Sequence, residues 1–472
     1  MFDDYIAMGV FALTIVITFI LATLGRRKSI GNNENDLAGR DLNRWLVGLS
    51  AGATANSGFI VSGAVGLGYL YGVQWVLLPI AWLIGDLVFW RYFPNKLNNH
   101  ARKLNAMTLT DILTSSKETK ASNLLAILTS LILVFGLGAY ATAQWLAGKK
   151  FLVNAFDLSE NISLVIFAFV IIAYSSIGGF RGSVYVDAFQ ALLRLIGCTL
   201  IFLFAGSAVI TNYDQFFLNY AEVPSTFFNL FGQMSITGAI GFVIGWASAS
   251  LGFGLGQPQV SMRYMAAKSP EELDRAKWIY IGYVQFTWIS MTVFGVILRG
   301  ISPDLNDPEA GLAIFVSSAM PAVLAGIIIA DIFGVIASTA NSILIALSHT
   351  IKHDLGKRLA LGKSFSITIL SFVFGILTLI IAYNASSSVA SVSIAAISFI
   401  AAGLAGPVMI KILSWKHSVI SLLIAMFVGI SSSVAWSLFG YSSIMNEAAI
   451  GILTSLLTNR IVFNFKLGVN YE

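Results

Sequence analysis

Residues 52–59 read GATANSGF: two glycines, a threonine, an asparagine and a serine inside a stretch that is otherwise apolar from 45 to 71. In hydrocarbon every backbone polar group has to be satisfied by the protein itself. Non-helical chain is therefore tolerated only where it is buried or lines a cavity. The cluster is either a face where helices pack closely or an interruption that holds a ligand. Which of the two it is decides the fold.

Composition supplies the membrane setting. The 472 residues are 57% hydrophobic and 11% charged, with a mean hydropathy of +0.81; soluble domains carry roughly 25% charged residues. The net charge of +5 is dispersed among apolar segments rather than gathered on one face, which argues against nucleic acid as a partner. A lone cysteine, Cys198, leaves no internal disulfide, cysteine metal site or CxxC redox pair. His349 and His353 are spaced i, i+4 but adjoin Lys352 at a helix end, and the four histidines do not cluster as metal ligands. The opening MFDDY is acidic where a secretory signal is basic, so the first apolar run is expected to be retained.

Thirteen apolar runs are long enough to cross about 30 Å of hydrocarbon. They fall near 5–25, 45–71, 73–94, 122–148, 161–178, 184–211, 234–260, 276–299, 312–350, 364–383, 387–410, 417–438 and 442–463. The run 312–350 exceeds one span and is expected to continue as helix beyond the membrane. With the N-terminus outside, the interior segments are 26–44, 91–120, 179–183, 261–277, 351–363, 411–416 and the tail after 459. They hold 24 of the 28 Lys and Arg, the exceptions being Lys149, Lys150, Arg194 and Arg299. This alternation is the positive-inside pattern and predicts an all-α membrane protein of about thirteen helices, N-terminus out and C-terminus cytoplasmic, in a bacterial-type inner membrane.

A second cluster of small residues, ASASLGFGLGQP, occupies 247–258 in the seventh run. Interrupted helices at corresponding places in two halves point to a secondary transporter's binding site. The second and seventh runs are five apart and cross in opposite directions, as an inverted repeat requires.

LSAGATANSGF (49–59), YSSIGGFRGSVYVDAFQ (174–190), GLGQPQVSMRYMAAKS (254–269) and AGIIIADIFGVIASTANSILIALSHTIKHDL (325–355) resemble the sodium/solute symporters, most of all their bacterial sodium/proline branch. The resemblance implies a leucine-transporter-like fold, a five-plus-five inverted repeat with one extra helix before it and two after. The divisions would be 1–44, 45–211 for the first repeat, 212–411 for the second, and 412–472. It implies a sodium ion bound by the carbonyls of Ala53, Asn56 and Val335 and the hydroxyls of Ser338 and Thr339. Unwound helix ends leave such carbonyls free; the bland alternative is that the hydroxyls bond back to their own helix. Asp187, with Asn341 and Ser342, makes a candidate second cation position.

The implied solute pocket takes Asn56, Ser57, Phe59, Tyr140, Gln144, Ser250, Phe253, Gly254 and Gln257. Tyr140 and Gln144 are four apart on one helix face, and helix–helix contact is the plainer reading for each polar group. The proline branch has an aspartate where this chain has Ala55, and aromatics where it has Ser250 and Gly254. A neutral pocket lined by amides and hydroxyls suits a small polar or zwitterionic solute. Asp86, another acid within a span, has no partner legible in the sequence.

Two further charges lie mid-span. Arg194 is seven residues beyond Asp187 on a helix running outward, and Asp331 seven before Ser338 on one running inward, each about 10 Å along its helix. They are expected to sit at one depth and to form a buried ion pair. The functional reading is sodium-coupled symport by alternating access. Proton coupling through Asp187, and a receptor with a transporter-like domain, stand as alternatives; the chain's ending shortly after its last apolar run counts against the receptor. Enzyme motifs are missing: GLGYLYG (66–72) and GFGLG (252–256) are glycines within apolar spans, not phosphate loops.

Overall fold

The computed structural model describes residues 2–28, 37–114, 119–356, 366–385 and 388–464. The interior-segment assignments of Lys117, Lys357, Arg358, Lys363 and Lys466 lie outside the described residues.

The chain is helical almost throughout. The first helix, α1 (Phe2–Arg27), is followed by α2 (Arg44–Ala55), a wide helical turn over Phe59–Ala64 that leads into α3 (Val65–Tyr71), and α4 (Leu77–Tyr92). Short helices α5 (Pro94–Lys103) and α6 (Leu109–Leu113) precede the long α7 (Lys120–Phe156) and α8 (Glu160–Thr211). Then come α9 (Tyr213–Leu218), α10 (Ile236–Gly256), α11 (Pro258–Met265), α12 (Pro270–Ile301), α13 (Gly311–Ala319) and α14 (Ala322–His349). The last five are α15 (Ile367–Tyr383), α16 (Val389–Ile400), α17 (Gly406–Ile412), α18 (Val419–Leu438) and α19 (Glu447–Asn464).

Among the described residues, nine helical stretches are long and apolar enough to cross a membrane, and two shorter apolar helices, Glu160–Ala173 and Ile369–Tyr383, accompany them. Counting thirteen depends on where helices are divided. The second and third runs join through a tight turn at Gly72–Val76, where Gly72 takes φ 76. The fifth and sixth join at Gly179 (φ 59), the one non-helical residue in α8, so the expected loop 179–183 is mostly helix. The expectation of one unbroken helix over 312–350 is corrected. Met320 is extended (φ −119, ψ 145) before Pro321, so α13 and α14 are separate; proline holds its predecessor out of the helical region.

Both clusters of small residues interrupt helices. α2 stops at Asn56, and α10 stops at Gly256, where Gln257 is extended (ψ 105) and Pro258 opens α11. Proline suits that first helical position because its missing N–H has no intrahelical partner there. α8 and α14 pack together, α2 lies against α8, α12 and α14, α10 against α4, and α1 covers α8 and α14.

Each exception to the charge alternation has a partner. Lys149 meets Glu160 at 2.8 Å, Lys150 meets Glu309 at 2.7 Å and Asp307 at 2.9 Å, and Arg194 meets Asp331 at 2.6 Å. Arg299 donates to the Tyr69 hydroxyl at 3.1 Å and to the Pro303 carbonyl. One residue counted as interior loop is misplaced by that count: Arg263 is buried in α11, the short helix that follows the break at Gln257 and is buried along its whole length.

Candidate ion and solute site

At the first break the backbone of Asn56 turns to ψ 81, while its N–H still donates to Gly52 O (3.0 Å) and Ala53 O (3.1 Å). Two residues on, an amide finds its acceptor outside the helix: Gly58 N donates to Gln144 Oε1 at 2.8 Å. A Cβ on Gly58 would lie 2.5 Å from Ala147 Cβ, so only glycine lets α7 approach this closely.

α14 faces the break with its two consecutive hydroxyls. Ser338 Oγ lies 3.3 Å from Ala53 O and 3.1 Å from Val335 O. Thr339 Oγ1 lies 3.1 Å from Thr54 O, 3.4 Å from Asn56 O and 3.5 Å from Val335 O. Bonding back to Val335 is the helix's own geometry; reaching the carbonyls of a second helix is not. Each hydroxyl has one hydrogen, so several lone pairs converge on a small volume with fewer donors than acceptors. A set of neutral oxygens of this kind fits a hard monovalent cation. The five sodium ligands expected from the sequence are thus brought together, and Thr54 O joins them unforeseen.

Below lies a charged nest. Asp187 Oδ2 accepts from Ser50 Oγ (2.7 Å) and from Arg263 Nη2 (2.8 Å). The same Nη2 reaches Ser342 Oγ at 2.6 Å, and Arg263 Nε donates to Ser50 Oγ at 2.9 Å. Asn341 Nδ2 donates to Ser183 Oγ at 2.9 Å. Where the sequence suggested a second cation between Asp187 and Ser342, a guanidinium stands. Sequence reasoning missed Arg263 because it was read as loop; its place just after the second break was the available signal.

The solute-pocket candidates fall into two groups, one at each break. Tyr140 is fully buried, while Gln144 bonds Gly58 and is spent on helix contact; Asn56 Oδ1 is buried without a partner. Opposite, Ser250 Oγ donates to Asp86 Oδ1 at 2.9 Å. Gly254 makes room for the Phe89 ring, and Gln257 Oε1 accepts from Gln259 Nε2 at 2.5 Å. Aromatic rings link the two groups: Phe59 to Trp288 (6.1 Å between centroids), Trp288 to Trp82 (4.7 Å) and Trp82 to Phe253 (5.5 Å).

The sequence profile of the sodium:solute symporter family matches residues 36–429. The chain belongs to that family. It is 26% identical over 366 residues to the sodium/proline symporter of Staphylococcus aureus strain JH9, across 75% of this chain and 68% of that one, and to the same degree to that of strain NCTC 8325. In fold this symporter resembles a Na+-coupled sialic acid symporter in its substrate-bound outward-open state. The TM-score is 0.78 at 19% identity, with 98% of each chain covered. It also resembles Mhp1, a nucleobase-cation-symport-1 family transporter, with a TM-score of 0.58 at 14% identity over 92% and 94% of the two chains. The symporter is an all-helical, multi-pass membrane protein with the leucine-transporter-like fold, and the ion it couples to is sodium.

Proposed function

We propose that this symporter carries a small polar or zwitterionic solute, an amino acid or a similar compound, and binds sodium where the break after α2 meets α14. The relatives named as proline symporters support the amino-acid class. The observation that carries the ion site is the convergence of Ser338 and Thr339 on the carbonyls of Ala53, Thr54 and Asn56.

An ion among these oxygens would tie α2 to α14 and hold the broken helix in the shape that completes the solute walls. Solute bound to that shape would favour closure, followed by release of both ligands on the other side. Coupling in this scheme is a difference of affinity between states, reciprocal for ion and solute. The reading includes the division into repeats at 45–211 and 212–411, with the N-terminus outside and the bacterial plasma membrane as location; the charge alternation supports that orientation.

The test is thermal stabilisation of the purified protein by sodium against potassium, with Thr339→Val and Ser338→Ala beside the wild type. The wild type is expected to be stabilised by sodium and both variants to lose most of the shift. A full shift in Thr339→Val would remove the hydroxyls from the ion site.

A further inference from the structure

Three carboxylates buried in the spans are treated differently by the chain. Asp187 has Arg263 at 2.8 Å and Asp331 has Arg194 at 2.6 Å. Asp86, 3% exposed, receives the Ser250 hydroxyl on Oδ1, and its Oδ2 is buried with no partner. Among the described residues no lysine or arginine forms an ion pair with it. The guanidinium of Arg263, one residue from Tyr264, is committed to Asp187, Ser342 and the Gln259 carbonyl. A buried carboxylate lacking a counter-charge is among the most costly groups a protein can hold, and within a membrane span its default meaning is functional.

What surrounds Asp86 names the missing partner. Trp82 and Trp90 are one turn away on either side, on the same face of α4. The Trp90 ring lies 5.0 Å from Tyr264 and 5.4 Å from Tyr280. Aromatic faces around an acid are the chemistry that recognises ammonium groups. This aromatic cluster holds two unused donors, the Trp90 indole N–H and the Tyr264 hydroxyl, both buried and unpartnered. An unfilled acceptor beside unfilled donors matches a solute with a cationic nitrogen at one end and an acceptor at the other. Asp86 is also tied to both breaks: Ser250 belongs to the second, and Trp82, one turn from Asp86, packs against Trp288, which meets Phe59 at the first.

We propose that Asp86, positioned by Ser250, anchors a positively charged nitrogen of the transported solute. This rests on reading the two breaks as walls of the solute site.

Matched pairs of probes differing only in that nitrogen test it: L-proline against cyclopentanecarboxylate, glycine betaine against 3,3-dimethylbutanoate, and choline against 3,3-dimethylbutanol. The readout is thermal stabilisation in saturating sodium chloride. At least one nitrogen-bearing member is expected to stabilise the wild type and its carbon isostere not to. Asp86→Asn is expected to lose on the order of tenfold or more in apparent affinity, the worth of one hydrogen bond to a charged group, while its sodium-induced shift persists. Ser250→Ala should weaken the same probe less, with the preference kept.

Equal binding of an isostere, a preference retained in Asp86→Asn, or no shift with any nitrogen-bearing probe would each overturn the proposal, and a persisting sodium shift would leave the ion site standing. Loss of the wild-type sodium shift with the nitrogen preference intact would instead overturn the ion site and keep Asp86 in place.

Discussion

Arg194 Nη1 and Asp331 Oδ2 stand 2.6 Å apart with both side chains fully buried, joining α8 to α14. Gly197 makes the approach possible, since a Cβ there would fall 2.2 Å from Asp331 Oδ2. Arg194 Nε and Nη2 and Asp331 Oδ1 have no partner, so little beyond the attraction itself offsets desolvation. Removing one charge strands the other. Arg194→Ala and Asp331→Ala should each cost about 3–5 kcal/mol, and the double variant markedly less than their sum. Melting of the four proteins in detergent measures this; a double variant as crippled as either single one would refute the coupling. Gly197→Ala should behave like Asp331→Ala.

The Asp187–Arg263 contact makes a different prediction, because its cation stands where a second ion was expected. Arg263→Ala leaves Asp187, Ser342 and Ser183 facing a space without charge, and should be strongly destabilised in potassium. Sodium should restore more stability to it than to the wild type, with a steeper concentration dependence. The Asp187→Ala/Arg263→Ala double variant should lose that extra response. A sodium titration of melting temperature for the three proteins decides it; identical curves would mean that this nest does not admit an ion.

The fold was legible because hydropathy and loop charge depend on one dimension only, the position along the membrane normal. GATANSGF and ASASLGFGLGQP were legible as breaks for a related reason, since small residues and Pro258 act on their own backbone. Arg194 and Asp331 could be matched because helical rise fixes depth. What could not be read was lateral. Ser250 beside Asp86 and Ser50 beside Asp187 join helices 164 and 137 residues apart, and no local pattern reports which faces meet. Arg263 was misjudged because a charge after a break reads the same whether the following chain leaves the protein or stays buried in it.

At one end of the bundle Glu309 gathers three elements. Its Oε2 accepts from Lys150 at 2.7 Å, and its two oxygens take the Val389 and Ala390 amides, each at 3.1 Å, capping α16. Its carbonyl receives Ser62 Oγ at 2.7 Å from the helix beyond the first break. Alternating access requires such ties to part. Lys150→Met should loosen this end, and Glu309→Ala more so, with about 1 kcal/mol lost from the cap alone. The native Cys198 is fully buried, so a cysteine placed at Ser62 reports maleimide access with little background. Labelling should be faster in both variants than in Ser62→Cys alone; unchanged rates would show that this cluster does not hold the end closed.

Gly58 tests whether the break itself is under close steric control. A methyl group there meets Ala147 Cβ at 2.5 Å and Gln144 Oε1 at 3.2 Å, so Gly58→Ala forces α7 away from the turn. The Gly58 amide would then lose its acceptor, and a buried unpaired N–H adds about 1–3 kcal/mol to the steric cost. The displacement would also move Asn56 relative to Thr339, which lie 3.4 Å apart between carbonyl and hydroxyl. Gly58→Ala is therefore expected to lower both the melting temperature and the sodium-induced shift. Ala147→Gly on the same background removes the nearest obstacle and should recover a large part of each. If stability returned without the sodium response, packing at Gly58 and ion binding at the break would be separable properties of the same turn.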